Sequence, residues 1–115
     1  MDKYNNEDHI IAIIGSSKHK EKILEYARYQ ELRGNICLLS HIFSHTVKDF
    51  STTPEQDQNL INNGHKRIDM ADKVVVIIEN EYIGQSTREE LTYAKSLNKS
   101  IQFIDIEDVF LYKEI

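Results

Sequence analysis

The sequence predicts an α/β fold of the Rossmann-like, flavodoxin-like kind: one three-layer domain around a parallel sheet of strand order about 2-1-3-4(-5). Three observations predict it. Residues 9–14 (His-Ile-Ile-Ala-Ile-Ile) and 74–78 (Val-Val-Val-Ile-Ile) are short, unbroken and rich in β-branched side chains, as strands buried on both faces are. Stretches with helical spacing alternate with such runs, giving β-α-β-α-β-α-β. Turn chemistry falls at the joints, with Gly15, Gly34, Thr53-Pro54 and Asn98 between elements. Right-handed crossovers then bring all strand C-termini to one edge.

In chain order, residues 1–8 are a polar, acidic tail and 9–115 the domain. The strand 9–14 runs into Gly15-Ser16-Ser17, and Lys18-His19-Lys20 begins a helix with Ile23, Leu24 and Ala27 spaced for one face. Gly34 stops that helix after Arg33. Residues 35–39 (Asn-Ile-Cys-Leu-Leu) read as the next strand. Residues 40–53 have no clear periodicity and carry His41, Phe43, His45 and Phe50. Long loops after strand ends are often functional. Aromatic residues there could stack on a base. His41 and His45 are four apart, but no carboxylate or thiol completes a metal site, so neither metal nor cofactor is expected.

Thr53-Pro54-Glu55-Gln56 opens a helix, with Thr53 as N-cap, Pro54 at the first position and Gln56 closing a capping box. It runs to about Met70, with Leu60, Ile61 and Ile68 as core candidates and Gly64 as a kink or early end. His65 lies near its end, and Asp69 and Asp72 flank that end. After the strand 74–78, Ser86 and Glu89 have capping-box spacing, so Ser86 is expected to open the third helix. Leu91, Ala94 and Leu97 define its apolar face, and Glu90 falls inside that arc, roughly 40° from its centre. A carboxylate aimed at a sheet is paired, protonated or used, unless it lies at the edge of the face and reaches solvent. Residues 101–104 form a fourth strand after the Asn98-Lys99 turn. Residues 105–115 form a last short helix or strand, with Val109, Phe110, Leu111 and Tyr112 exposed unless a subunit interface covers them.

Composition narrows the classes. The chain has 115 residues, 40% hydrophobic and 29% charged, which suits one soluble domain. A net charge of −5 argues against a nucleic acid polymer as partner. No apolar run approaches the roughly 20 residues of a membrane span. The single Cys37 reads as a buried core thiol, and with the polar start points to a cytoplasmic protein.

The turn at Gly15-Ser16-Ser17 joins a strand to a helix, where free amides and hydroxyls suit a phosphate or carboxylate. The plainer alternative is that Ser16 or Ser17 merely caps the helix. With the 40–53 loop and the Ser86 turn it emerges at the same sheet edge.

Ala71-Asp72-Lys73-Val74-Val75-Val76, then Tyr82-Ile83-Gly84-Gln85-Ser86-Thr87-Arg88-Glu89-Glu90-Leu91-Thr92-Tyr93-Ala94, then Asn98-Lys99-Ser100-Ile101, resemble the nucleoside 2-deoxyribosyltransferase superfamily, which includes the deoxynucleoside 5′-monophosphate N-glycosidases. The resemblance covers roughly residues 10–104. It implies cleavage or transfer at an N-glycosidic bond of a small nucleoside or nucleotide, with Glu90 as nucleophile, and a homodimer or higher homo-oligomer. His65, Asp69 and Asp72 are then candidates to protonate the leaving base. Gly15, Ser16, Ser17, His19, Phe43, His45, Gly84, Ser86 and Thr87 are the substrate- and phosphate-binding candidates, and Lys18 and Arg88 would add charge. The family's base-handling Asp on the second helix has no counterpart, since Gly64 and His65 occupy that place. The same fold also serves as a non-catalytic nucleotide-binding or signalling module, in which Glu90 would bind ribose hydroxyls.

Overall fold

A computed structural model describes residues 9–39 and 52–109. Four strands, β1 (Ile10–Gly15), β2 (Ile36–Leu39), β3 (Lys73–Ile78) and β4 (Ser100–Asp105), alternate with three helices, α1 (Lys20–Leu32), α2 (Pro54–Met70) and α3 (Gln85–Ser96). The sheet is wholly parallel and ordered β2-β1-β3-β4, as the sequence predicts. The two runs richest in β-branched residues are its central strands. Ile11, Ile13, Val74, Val75 and Val76 are fully buried.

Two apolar layers cover the sheet. One joins Ile11, Ile13, Val75 and Ile77 to Ile23, Tyr26 and Ala27 of α1. The other joins Ala12, Ile14, Val74 and Val76 to Ile68 of α2 and Leu91 and Ala94 of α3. The alternation is the period-2 consequence of a strand buried on both faces. The chain leaves β1 toward one face and β3 toward the other. The adjacent C-termini of β1 and β3 therefore form the switch point at which open α/β sheets hold ligands.

Gly15 makes this close packing possible. A Cβ there would lie 3.1 Å from the Ile77 carbonyl oxygen and 3.3 Å from Ile77 Cβ. Gly34, at φ 96°, ends α1 in the left-handed region that glycine tolerates. Thr53 and Gln56 form the expected capping box, with Gln56 N donating to Thr53 Oγ1 at 3.1 Å and Thr53 N donating to Gln56 Oε1 at 2.9 Å.

Several local expectations are corrected. Gly84, not Ser86, is the N-cap of α3, and no side chain caps it. The helix begins earlier because Gly84 already has the extended N-cap backbone, which leaves Ser86 inside the first turn. Glu89 accepts from Gln85 Nε2 at 3.2 Å instead of closing a box. A short 3-10 turn, Ser17–His19, precedes α1. Leu24, Ile61 and Leu97 are exposed, because each lies at the margin of its helix face. Tyr26 and Gln30 take the inner positions of α1 instead of Leu24. Gly64 is buried within an unbroken α2. Cys37 is only partly buried. Val109 is fully buried, packed with Ile104 and the α1 layer; Phe110, Leu111 and Tyr112 lie outside the described residues.

Candidate active site

The C-terminal edge of the sheet is built from the β1–α1 turn, the β3–α3 loop and the first turns of α3. From β3 the chain makes a tight reversal. Tyr82 N donates to Glu79 O at 2.9 Å, while Asn80 and Glu81 both have positive φ (50° and 66°). That is the pattern of a type I′ turn. Two non-glycine residues in the left-handed region are uncommon, and they hold Glu79 and Tyr82 side by side. Asp105, at the end of β4, anchors the turn by accepting from Asn80 N at 3.1 Å.

Glu90 lies in the second turn of α3 and is 5% exposed. Thr87, Leu91 and Ala94 share its buried face. The helical arc read from the sequence therefore does carry this carboxylate inward, and the solvent-reaching alternative does not hold. Its Oε2 is closed off from water.

Of the candidate proton donors, two meet on the α2–α3 face. The His65 ring stacks on Tyr93, with centroids 4.1 Å apart and planes at 10°. Tyr93 is three residues beyond Glu90, hence on a neighbouring part of the same helix face. The Tyr93 hydroxyl donates to Asp69 Oδ1 at 2.5 Å. That hydrogen bond, first, and then desolvation and the Asp69 charge, push the phenol above its ordinary range. Asp72 is elsewhere. It precedes β3, at the opposite edge of a six-residue strand, about 20 Å away by strand rise. There its Oδ2 accepts from Ile10 N at 2.8 Å and lies 4.0 Å from His9 Nδ1. Asp72 ties the starts of β1 and β3 together, so the proton-donor role does not fit it.

At the β1–α1 turn the capping alternative holds for Ser16. Ser16 caps the 3-10 turn, its Oγ accepting from Lys18 N at 3.3 Å. The His19 side chain is 9% exposed and its Nε2 lies 3.6 Å from Glu79 Oε1; Lys18 Nζ lies 3.7 Å from the same oxygen and over the Tyr82 ring at 5.5 Å. Burial holds the His19 imidazole below its ordinary pKa, with Glu79 and Asp105 opposing and Lys18 reinforcing that shift. Ser86 is exposed in the first turn of α3, and Gly84 faces open space. Arg88 turns back to donate to Ile83 O at 3.3 Å. A shallow cleft of about 310 Å³ lies outside this turn, lined by Tyr82, Ile83, Gln85, Arg88 and Glu89. Phe43 and His45 lie outside the described residues.

The structure thus brings Gly15, Ser16, Ser17, His19, Gly84, Ser86, Thr87 and Glu90 to one edge, and sets Asp69 and Asp72 toward the other end of the sheet. Sequence reasoning missed Glu79. Its only signal is position: it is the first residue after a central strand, beside the end of β1.

No protein-family model and no curated protein matches the chain. Among solved structures it is similar to the Clostridium botulinum CMP N-glycosidase BcmB. The identity is 14% and the TM-score 0.58, over 90% of this chain and 82% of that one. The two share a fold.

Proposed function

We propose that this protein cleaves or exchanges the N-glycosidic bond of a (deoxy)nucleoside or nucleoside 5′-monophosphate, with Glu90 as the nucleophile. The observation that carries the reading is the burial of Glu90 at the switch-point edge, where a carboxylate adds nothing to packing. The fold shared with a CMP N-glycosidase supports it. So does the resemblance of the α3 motif to the deoxyribosyltransferase superfamily.

In this mechanism a Glu90 carboxylate oxygen attacks C1′, and the C1′–N bond breaks with its electron pair leaving on the base. The transition state is oxocarbenium-like, as for a retaining glycosidase. In this reading His65 protonates the leaving base; its stack on Tyr93, three residues along α3 from Glu90, supports it. Asp69 positions Tyr93 through its hydrogen bond. Water, or a second base, then attacks C1′ and releases Glu90. The test is a chromatographic screen of nucleosides, deoxynucleosides and their 5′-monophosphates for free base, with Glu90→Ala beside the wild type. Base release by the wild type alone is expected. Tight binding of a nucleotide without turnover would instead make the protein a binding module.

A further inference from the structure

We infer that Glu79 is a specificity-determining residue that selects a nucleoside with a free 5′-hydroxyl over its 5′-monophosphate. The inference rests on the proposed glycosidic reading of the same edge and names its substrate class.

The β1–α1 turn is the place where the sequence would seat a phosphate, with Lys18 and His19 as its charged partners. In the structure both side chains converge on one oxygen of Glu79 instead, at 3.7 and 3.6 Å. The register explains why. Gly15 pairs with Ile77, so extending both strands by two residues sets Glu79 against Ser17 and the turn that follows. A carboxylate already fills the anionic position that a phosphate would need.

Most cations around the turn, among the described residues, are already engaged. Glu81, Glu89, Glu90 and Asp105 stand on the same edge, together with Lys18, Lys20 and Lys22 around the start of α1 and Arg88 in α3; of these cations Lys18 is paired with Glu79, Lys22 with Glu25, and Arg88 is turned to Ile83 O. His19 is enclosed, and that burial disfavours its charged form. A dianionic phosphate entering here meets the solvent-accessible Glu79 carboxylate at close range, and the like charges repel, with solvent screening part of the effect. A 5′-hydroxyl meets the opposite situation. It can donate to the Glu79 carboxylate in a charge-assisted hydrogen bond. Lys18 and His19 then hold that carboxylate in place rather than the ligand. Ser16 keeps its role as the cap of the 3-10 turn.

The experiment is calorimetric titration of wild type, Glu79→Gln and Lys18→Met with the common nucleosides and deoxynucleosides and their 5′-monophosphates. The wild type should bind its best nucleoside about tenfold or more tightly than the matching monophosphate. Glu79→Gln should narrow or invert that ratio. Lys18→Met, which leaves Glu79 less neutralised, should widen it, and gives an independent reading if the Glu79 variant folds poorly. A wild type that binds the monophosphate as well as the nucleoside, or a ratio unmoved in Glu79→Gln, overturns this inference and leaves the glycosidic reading standing. No binding of any nucleoside or nucleotide overturns both.

Discussion

A single methyl group at Gly15 should disturb the switch point measurably. The Cβ of Gly15→Ala would sit 3.1 Å from Ile77 O, 3.3 Å from Ile77 Cβ and 3.5 Å from Ile23 Cδ1. The first two contacts belong to β3, a central strand paired on both sides, so neither can retreat without moving the sheet. Overpacking of this kind costs about 1–3 kcal/mol. Against it, alanine gains roughly 0.5–1 kcal/mol over glycine in a strand. The net expectation is a loss of about 1–2 kcal/mol, or roughly 4–8 °C in melting temperature for a domain of this size. Thermal unfolding followed by circular dichroism measures it. An unchanged or higher melting temperature would show that β1 and β3 have slack there, and would refute the argument that Gly15 is required for close approach.

Other perturbations have defined outcomes. Glu81→Gly should raise stability by about 1 kcal/mol in denaturant titration, because Glu81 holds φ at 66° and only glycine adopts that region freely; a destabilised variant would mean that the Glu81 side chain makes a compensating contact. Burial, and then the nearby Glu31, push the Cys37 thiol up to about 12. At pH 8 the folded protein should therefore be alkylated about a thousandfold more slowly than the unfolded chain, and equal rates would contradict the burial. The same shift makes stability fall as pH rises from the unfolded thiol value toward that of the folded state. Sedimentation at micromolar concentration should show a dimer or larger homo-oligomer, since Tyr82, Leu97 and Phe103 leave apolar surface on the fold; a monomer would count against it.

The sheet was legible because its evidence is local. A β-branched run buried on both faces has few alternatives, and two such runs, alternating with helices and two further strands, leave little freedom in topology. Glu90 was legible for the same reason, since helical periodicity alone carries it onto the face of Leu91 and Ala94. Capping was legible only in part. Thr53 and Ser86 have the same spacing to a Gln or Glu, yet only Thr53 caps. Pro54 fixes where α2 starts, whereas nothing in the sequence prevents α3 from starting at Gly84. Glu79 was not legible at all. Its meaning comes from Lys18 and His19, about sixty residues earlier, which parallel pairing of β1 with β3 brings against it. The edge positions Leu24, Ile61 and Leu97 were misjudged because periodicity gives the direction of a helix face but not the width of the surface that covers it. The loop 40–53 was singled out from its length, and its residues 40–51, with His41, Phe43, His45 and Phe50, lie outside the described residues.

The central claim is that the carboxylate of Glu90 does chemistry, while its neighbour Glu89 does not. Glu89 is exposed and bonded to Gln85, so Glu89→Gln should leave both melting temperature and base release within error of the wild type. Glu90→Gln should keep the fold, because the amide is nearly isosteric and removes a desolvated charge. It should abolish base release, because an amide cannot form the glycosyl ester. The most direct measurement is release of free base from the best substrate of the screen by wild type, Glu89→Gln and Glu90→Gln, with melting temperatures recorded on the same samples. The account predicts release by the first two proteins and none by the third, with all three folded. Release surviving in folded Glu90→Gln, or a Glu90→Gln protein that fails to fold, would contradict it.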